Sequence, residues 1–110
     1  MRRAKVLYNE LVAGTLTETD EGEYIFRYDP AYLEGKGSEP ITLTMPLHAE
    51  PYRDKRLFAF FEGLIPEGWL LEIASKNWKL NTNDRMGLLL ACCHNCIGAV
   101  SIQPIDEEHE

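Results

Sequence analysis

Apolar and polar residues alternate along the first third of the chain and then change to a helical spacing. Residues 4–8 and 11–16 are mostly apolar runs typical of strands, and residues 24–28 alternate with the period of a strand that buries one face. Asn9 and Glu10 separate the first two runs, so we predict a hairpin followed by a third strand with its aromatic residues on one face. Residues 41–45 alternate in the same way before Pro46 and predict a fourth strand.

The second half of the chain has apolar residues three and four positions apart. Residues 57–64 carry the first such stripe, and Pro66 must end that helix because its ring disfavours helical backbone at the preceding residue. A second helix is predicted from about Pro66 to Lys79. A third follows the polar cluster at 81–84, buries Cys93 and has its end marked by Asn95. Residues 98–103 alternate again and predict a last strand.

This order of elements predicts an α+β fold, a small curled antiparallel β-sheet or barrel with two or three helices. We expect residues 1–105 to form a single domain, because a chain of 110 residues with 45% hydrophobic residues can bury one core. Residues 106–110 include four acids and are expected to form a flexible acidic tail.

Charge and composition narrow the classes of partner. The net charge of −7 and the lack of a basic stripe argue against direct binding to DNA or RNA, which needs cationic side chains to replace phosphate counterions. No apolar run approaches the ~18 residues of a membrane span, and no secretory signal is present at the N-terminus. We therefore expect a cytoplasmic protein with reduced cysteines and no membrane contact.

The cysteine cluster 92–96 allows a zinc or redox interpretation that we weigh against a packing role. Cys93 and Cys96 form a C-x-x-C pair next to His94, yet a closed zinc site needs four ligands and the remaining histidines lie far along the chain. A redox pair belongs at a helix N-terminus, whereas these thiols follow a predicted helix. We favour buried, unreactive cysteines, with no metal and no cofactor.

The motifs of nucleotide and kinase chemistry are absent from the sequence. It contains no Gly-rich phosphate-binding loop, no kinase catalytic loop and no G-x-S-x-G nucleophile motif. The chain is therefore not expected to be an enzyme and has no predicted catalytic residue.

Trp69 is the best candidate for contact with a partner. It follows Pro66, Glu67 and Gly68, where a helix starts after a sharp break, and one side of its indole ring should be open to solvent. Tryptophan is enriched among the residues that dominate protein interfaces. A core role is the alternative, and it is the one we favour for Trp78. Glu67, like Glu62, is expected to be surface charge.

Several ordered motifs resemble those of the N-terminal domain of HipA-type serine/threonine kinases. The stretch Phe60-Phe61-Glu62-Gly63-Leu64-Ile65-Pro66-Glu67-Gly68 is similar to the signature F-F-x-x-L-L-P-E-G of that family. Further similarities are Gly14-Thr15-Leu16, Phe26-Arg27-Tyr28-Asp29, Met45-Pro46-Leu47, Pro51-Tyr52-Arg53 and Cys96-Ile97-Gly98-Ala99-Val100. The resemblance implies a small β-barrel with helices that lies in front of a kinase core and is not catalytic.

The stand-alone form of this domain resembles HipS, the small antitoxin of HipBST toxin–antitoxin modules. That resemblance implies that the chain binds and neutralises a HipA-like toxin kinase (HipT-like), with a HipB-like helix-turn-helix protein joined to the complex through the kinase. We expect Trp69, Phe61, Pro66, Glu67 and Gly68 to form the kinase-binding site. Two alternatives stay open: an excised or split N-terminal domain of a HipA-type kinase, which the start at Met1 and the acidic end disfavour, and an independent thiol or zinc protein.

Overall fold

The elements of the fold follow one another as three strands, a short helix, a strand, three helices and a last strand. The structure is a computed structural model that describes residues 2–35, 37–65, 67–76, 81, 83–92 and 99–105. The predictions for Trp78, Cys93, Cys96 and the tail 106–110 lie outside these residues. None of the described helices is long and apolar enough to cross a membrane.

The first three strands form the predicted antiparallel meander. β1 spans Arg2–Tyr8, β2 spans Leu11–Glu18 and β3 spans Tyr24–Tyr28. Asn9 and Glu10 connect β1 to β2 with φ angles of 49° and 71°, the left-handed backbone that a two-residue turn needs to match the twist of the strands. The predicted hairpin and third strand are confirmed.

Two edge strands complete an open sheet of order β4-β3-β2-β1-β5, in which all neighbours are antiparallel. β4 spans Tyr52–Asp54 and β5 spans Val100–Pro104. These two strands end the sheet and do not pair with each other, so the described sheet does not close into a barrel. The predicted α+β class and the returning last strand are confirmed.

Gly14 allows β2 and β3 to lie close together. It faces Tyr28 in the sheet, and a Cβ atom at this position would overlap the carbonyl oxygen of Arg27 and stand 2.9 Å from the Phe26 ring. Only glycine fits without moving the neighbouring strand.

The fourth strand predicted at residues 41–45 is wrong, and a tyrosine explains what forms there instead. Ile41 and Met45 are buried, as a strand would bury them, but the segment between them is a turn. The Tyr28 hydroxyl donates to the Met45 carbonyl (2.5 Å) and accepts from the Ile41 N–H (3.1 Å), so it occupies backbone groups that strand pairing would use. The strand that does pair with β3 is β4.

Four helices lie in the described residues, one more than the two or three predicted. α1 spans Pro30–Glu34 and was not predicted; the Asp29 side chain accepts from the Ala31 N–H and caps it. α2 is only Ala59–Glu62, shorter than the stripe 57–64 suggested. The two longer helices, both predicted, are α3 at Glu67–Lys76 and α4 at Arg85–Cys92.

The core lies between one face of the sheet and the helices. The opposite face of the sheet exposes Lys5 and Arg27. The largest side chains that are fully buried come from the sheet and from α2 and α4: Val6, Leu16, Phe26, Tyr28, Phe61, Met86, Leu89 and Ile102. Phe26 is central, because its ring contacts both Tyr28 (centroids 4.9 Å apart) and Phe61 (5.6 Å).

Candidate functional site

We call residues 61–71 the corner. They comprise the connection between α2 and α3 together with the end of α2 and the start of α3. α2 ends in a turn in which Leu64 N–H donates to the Phe61 carbonyl (3.1 Å) and Ile65 N–H to the Glu62 carbonyl (3.2 Å). α3 then starts at Glu67. Because both sides of the connection are hydrogen-bonded, the corner presents its side chains from two short, defined helices.

Buried side chains hold the corner from beneath. Phe61 is completely buried, and its ring contacts Phe26 of β3 as well as Phe58 and Phe60. Ile65 is also part of the core, with 7% of its surface exposed. Phe61, one of the predicted site residues, therefore supports the site from inside the domain and has no exposed surface to offer a partner.

Trp69 lies half-buried on α3 and packs against the core cluster. Phe60 and Leu64, which precede α3, are also half-buried and pack against that cluster. Part of its surface stays accessible, so the side chain has both a packing role and an exposed part. Leu71 is 72% exposed on the same helix. Sequence reasoning missed Leu71, although a signal was present: it falls off the i, i+4 ladder that joins Trp69 to Ile73, so it had to point away from the core.

Of the three remaining predicted site residues, the structure describes Glu67 and Gly68. Glu67 and Gly68 are both exposed in the first turn of α3. No heavy atom lies within 4 Å of the place where a Cβ atom on Gly68 would stand. Pro66 lies outside the described residues. Glu67, Gly68 and Leu71 therefore share the outer face of α3, while Trp69 lies on its flank.

A cleft of about 580 Å³ opens beside the corner. Its walls are the end of α2, the start of α3 and the start of α4, and it is lined by Glu62, Gly63, Ile65, Glu67, Leu70 and Arg85. Arg85 Nε lies 3.4 Å from Glu62 Oε1, with both side chains well exposed. This is a single, long ion-pair contact across the cleft, and contacts of this kind contribute little to stability.

A polar network fixes the start of α4, from which Arg85 projects. Arg2 of β1 donates to both carboxylate oxygens of Asp84 (2.7 and 3.1 Å) and to Glu18 (2.7 Å). Asp84 in turn accepts from the Gly87 N–H (3.2 Å) and caps α4. Tyr24 donates to the second oxygen of Glu18 (3.0 Å). The network ties α4 to β1 and β2.

The network changes the acidity of its members. The hydrogen bonds from the Arg2 guanidinium hold the pKa of Asp84 below its ordinary value of 3.8. Burial, with a further contribution from the hydrogen bond to Glu18, raises the pKa of Tyr24 to about 12. Asp84 is therefore ionised and Tyr24 protonated at neutral pH, the states in which every bond of the network forms.

No group of three metal-ligating side chains occurs within the described part of the chain. Of the cysteine cluster, Cys92 closes α4, and Cys93, His94 and Cys96 lie outside the described residues. The predicted packing role of these cysteines, which we favour over zinc and redox chemistry, therefore stays a prediction.

Comparison with known proteins assigns the family. The family model described as the HipA N-terminal domain matches residues 4–103. The chain belongs to the HipA N-terminal domain family. This family assignment agrees with the resemblance found in the sequence motifs around the corner.

Relatives of this HipA N-terminal domain include both short and long proteins. An "Uncharacterized protein" of Haemophilus influenzae is 35% identical over 104 residues, which cover 94% of this chain and 92% of that protein. "Putative kinase Y4mE" of Sinorhizobium fredii is 25% identical over 108 residues, 98% of this chain but only 26% of the relative. The solved structure "N-terminal domain of HipA toxin" superposes with a TM-score of 0.75 at 26% identity, covering 97% of this chain and 95% of that one.

Proposed function

We propose that this chain is a HipS-like antitoxin of a tripartite toxin–antitoxin module, which binds and neutralises a HipA-like serine/threonine kinase toxin (HipT-like). The observation that carries the proposal is the surface of the corner. It places the accessible part of Trp69 and the exposed Leu71 on α3, a helix that meets the core cluster through the half-buried Trp69 and Leu70. An aromatic side chain that packs against the core and keeps part of its surface accessible is typical of interface anchors.

The comparisons support a HipA-related partner. The domain matches the N-terminal domain of a HipA toxin over nearly its whole length. The Haemophilus relative consists almost entirely of this domain, because the alignment covers 92% of it. A domain that exists apart from a kinase core can act on that core in trans.

Neutralisation follows from covering the kinase at or near its active site. The domain occupies the surface that it would cover if it were part of the same chain, and the Trp69 ring inserts where it disturbs the phosphate-binding loop. A nanomolar complex needs about −12 kcal/mol, which an interface of ~1,600 Å² with one well-packed aromatic anchor can supply.

The remaining features of the proposed antitoxin concern its chemistry and its location. It has no catalytic activity of its own. Because the sequence lacks phosphate-binding motifs, calorimetric titration of the purified chain with Mg-ATP should show no binding. A HipB-like helix-turn-helix protein joins the complex through the kinase, since the net charge of −7 disfavours direct binding of this chain to nucleic acid. The complex is cytoplasmic and does not involve a membrane.

A second candidate function is a split or excised N-terminal domain of a HipA-type kinase, with a structural or regulatory role. The observation that favours it is the relation to Y4mE, in which the matching domain is about a quarter of a longer protein. The DNA that follows the coding sequence separates the two candidates. A separate short kinase frame supports the antitoxin, and one continuous frame supports the split domain.

The decisive experiment compares two exposed leucines in a growth-rescue assay with the co-expressed kinase. Leu71→Ala removes an exposed side chain at the corner, and Leu43→Ala removes one that is 91% exposed outside it. Neither side chain is part of the core, so both variants should keep the wild-type melting temperature. We expect Leu71→Ala to bind the kinase roughly tenfold more weakly and Leu43→Ala to bind like wild type.

Trp69→Ala should have a larger effect, weakening the complex roughly 30- to 1,000-fold and abolishing rescue. Because Trp69 also packs against the core, the melting temperature of Trp69→Ala must be compared with that of Leu47→Ala. The control variant loses a half-buried core contact away from the corner. If the wild-type chain fails to bind the kinase, or if both corner variants still protect the cell, the proposal is wrong.

A further inference from the structure

The cleft beside the corner combines an apolar floor with an acidic rim. Ile65, 7% exposed, and the half-buried Leu70 line it together with the carboxylates of Glu62 and Glu67. Among the described residues that line it, Glu62 and Glu67 are negative and Arg85 is positive, which gives a net charge of −1. Its rim therefore favours a positive occupant, while its floor favours methylene groups.

The two carboxylates are available to a ligand to different degrees. Glu67 is exposed, and no ion-pair partner for it is found among the described residues. Among the described residues, the Glu62 carboxylate has one ion-pair contact, at 3.4 Å to Arg85, whereas Arg2 donates two hydrogen bonds to Asp84 at 2.7 and 3.1 Å. Glu62 can therefore turn toward a second cation at little cost.

We infer that this cleft receives a lysine or arginine side chain of the partner kinase, an inference that rests on the proposed function. The methylene stem lies on Ile65 and Leu70, and the charged group reaches Glu67 and Glu62. An apolar side chain would remove water from two carboxylates without replacing their hydrogen bonds. An acidic side chain would face Glu67. A cationic side chain satisfies both the floor and the rim.

The test measures the dissociation constant of the complex between the full chain and the HipA-like kinase at two salt concentrations. Glu67→Gln keeps the shape of the cleft and removes one charge, and we expect it to weaken binding roughly tenfold and to reduce the salt dependence. Glu72→Gln is the matched control: it removes an exposed α3 carboxylate that pairs with Lys76 (3.0 Å) outside the cleft. It should change the dissociation constant by less than about twofold.

Arg85→Gln identifies the sign of the occupant. A cationic occupant gains when its competitor for Glu62 is removed, so the complex should become as tight or a few times tighter, whereas an anionic occupant would lose its partner and bind more weakly. Wild-type affinity in Glu67→Gln, or weaker binding in Arg85→Gln, overturns this inference alone. Failure of the wild-type chain to bind the kinase overturns the proposed function and this inference with it.

Discussion

The inner and outer sides of the corner are made from similar apolar residues but are packed in opposite ways. On the inner side, Phe61 is completely buried and touches three other phenylalanine rings. On the outer side, six residues after Ile65, Leu71 is 72% exposed, and Trp69 on the flank of α3 is half-buried. Apolar content alone therefore does not separate buried from exposed residues in this stretch. The position of a residue relative to the apolar stripe of its helix decides whether it is buried or exposed.

The largest expected effect tests the inner side. Phe61→Ala removes a fully buried ring from the junction of α2 with β3 and should lower the free energy of unfolding by ~3–5 kcal/mol. Chemical denaturation followed by circular dichroism measures the change. A loss below 1 kcal/mol would mean that Phe61 does not anchor the corner, and the contrast between its two sides would disappear.

A second prediction concerns the hydroxyl group that holds the turn at residues 41–45. Tyr28→Phe keeps the ring in the core but leaves the Ile41 N–H and the Met45 carbonyl without their partner. Buried groups that lose a hydrogen bond cost ~1–3 kcal/mol, so unfolding should become easier by that amount. Hydrogen exchange at the Ile41 amide should rise more than exchange in β1. An unchanged Ile41 amide would place the support of this turn elsewhere.

A third prediction tests whether the polar network supports the corner through α4. Asp84→Asn keeps an oxygen to cap the helix but loses the charge that pairs with Arg2, and it should lower stability by about 1 kcal/mol at pH 7. The folded protein lowers the pKa of Asp84 below 3.8, so the charge stabilises the fold above that pH and ceases to do so as the pH falls through the folded pKa.

Wild type and Asp84→Asn should therefore differ in melting temperature at neutral pH and converge below pH 3.8. Glu23→Gln serves as the control, because the Arg53–Glu23 pair lies on the surface at 3.0 Å with both side chains at least 40% exposed. It should show a much smaller difference at neutral pH. If the melting temperatures of wild type and Asp84→Asn differed by the same amount at all pH values, the charge of Asp84 would not be the source of the stabilisation.

The smallest expected effect tests the outer side. Leu71→Ser replaces an exposed side chain and should change the free energy of unfolding by less than about 0.5 kcal/mol. Thermal melts of the isolated chain measure it. A loss comparable to that of Tyr28→Phe would show that Leu71 is part of the core, and the outer side of the corner would then lose its exposed apolar residue.

The sequence predicted those elements whose pattern reflects local geometry. The hairpin at Asn9 and Glu10, the third strand and the two longer helices follow from spacing and turn residues, and the structure has them. The strand predicted at residues 41–45 failed because burial of Ile41 and Met45 fits a strand and a tyrosine-held turn equally well. What decides between them is the Tyr28 hydroxyl, which is distant in the chain.

β4 was not predicted, because a strand forms there without a strand pattern in the sequence. Its residues Arg53 and Asp54 are exposed and charged, so they lack a strand pattern, yet an edge strand needs only backbone pairing and gains solubility from charge. At the corner, the break and the position of Trp69 could be predicted from Pro66 and Gly68. The cleft could not, because Arg85 reaches Glu62 from a helix that starts more than 20 residues later.

The order of the strands has a consequence for synthesis of the chain on the ribosome. β1 pairs with β2 on one side and with β5 on the other. The first strand to be synthesised therefore cannot complete its pairing until the last strand has been made. At elongation rates of ~5–20 residues per second, the outer edge of β1 stays without its neighbour for several seconds while residues 19–99 are added. An open edge is a site where chains associate wrongly. Truncation before Val100 should therefore cause aggregation, even though the chain would retain the whole corner.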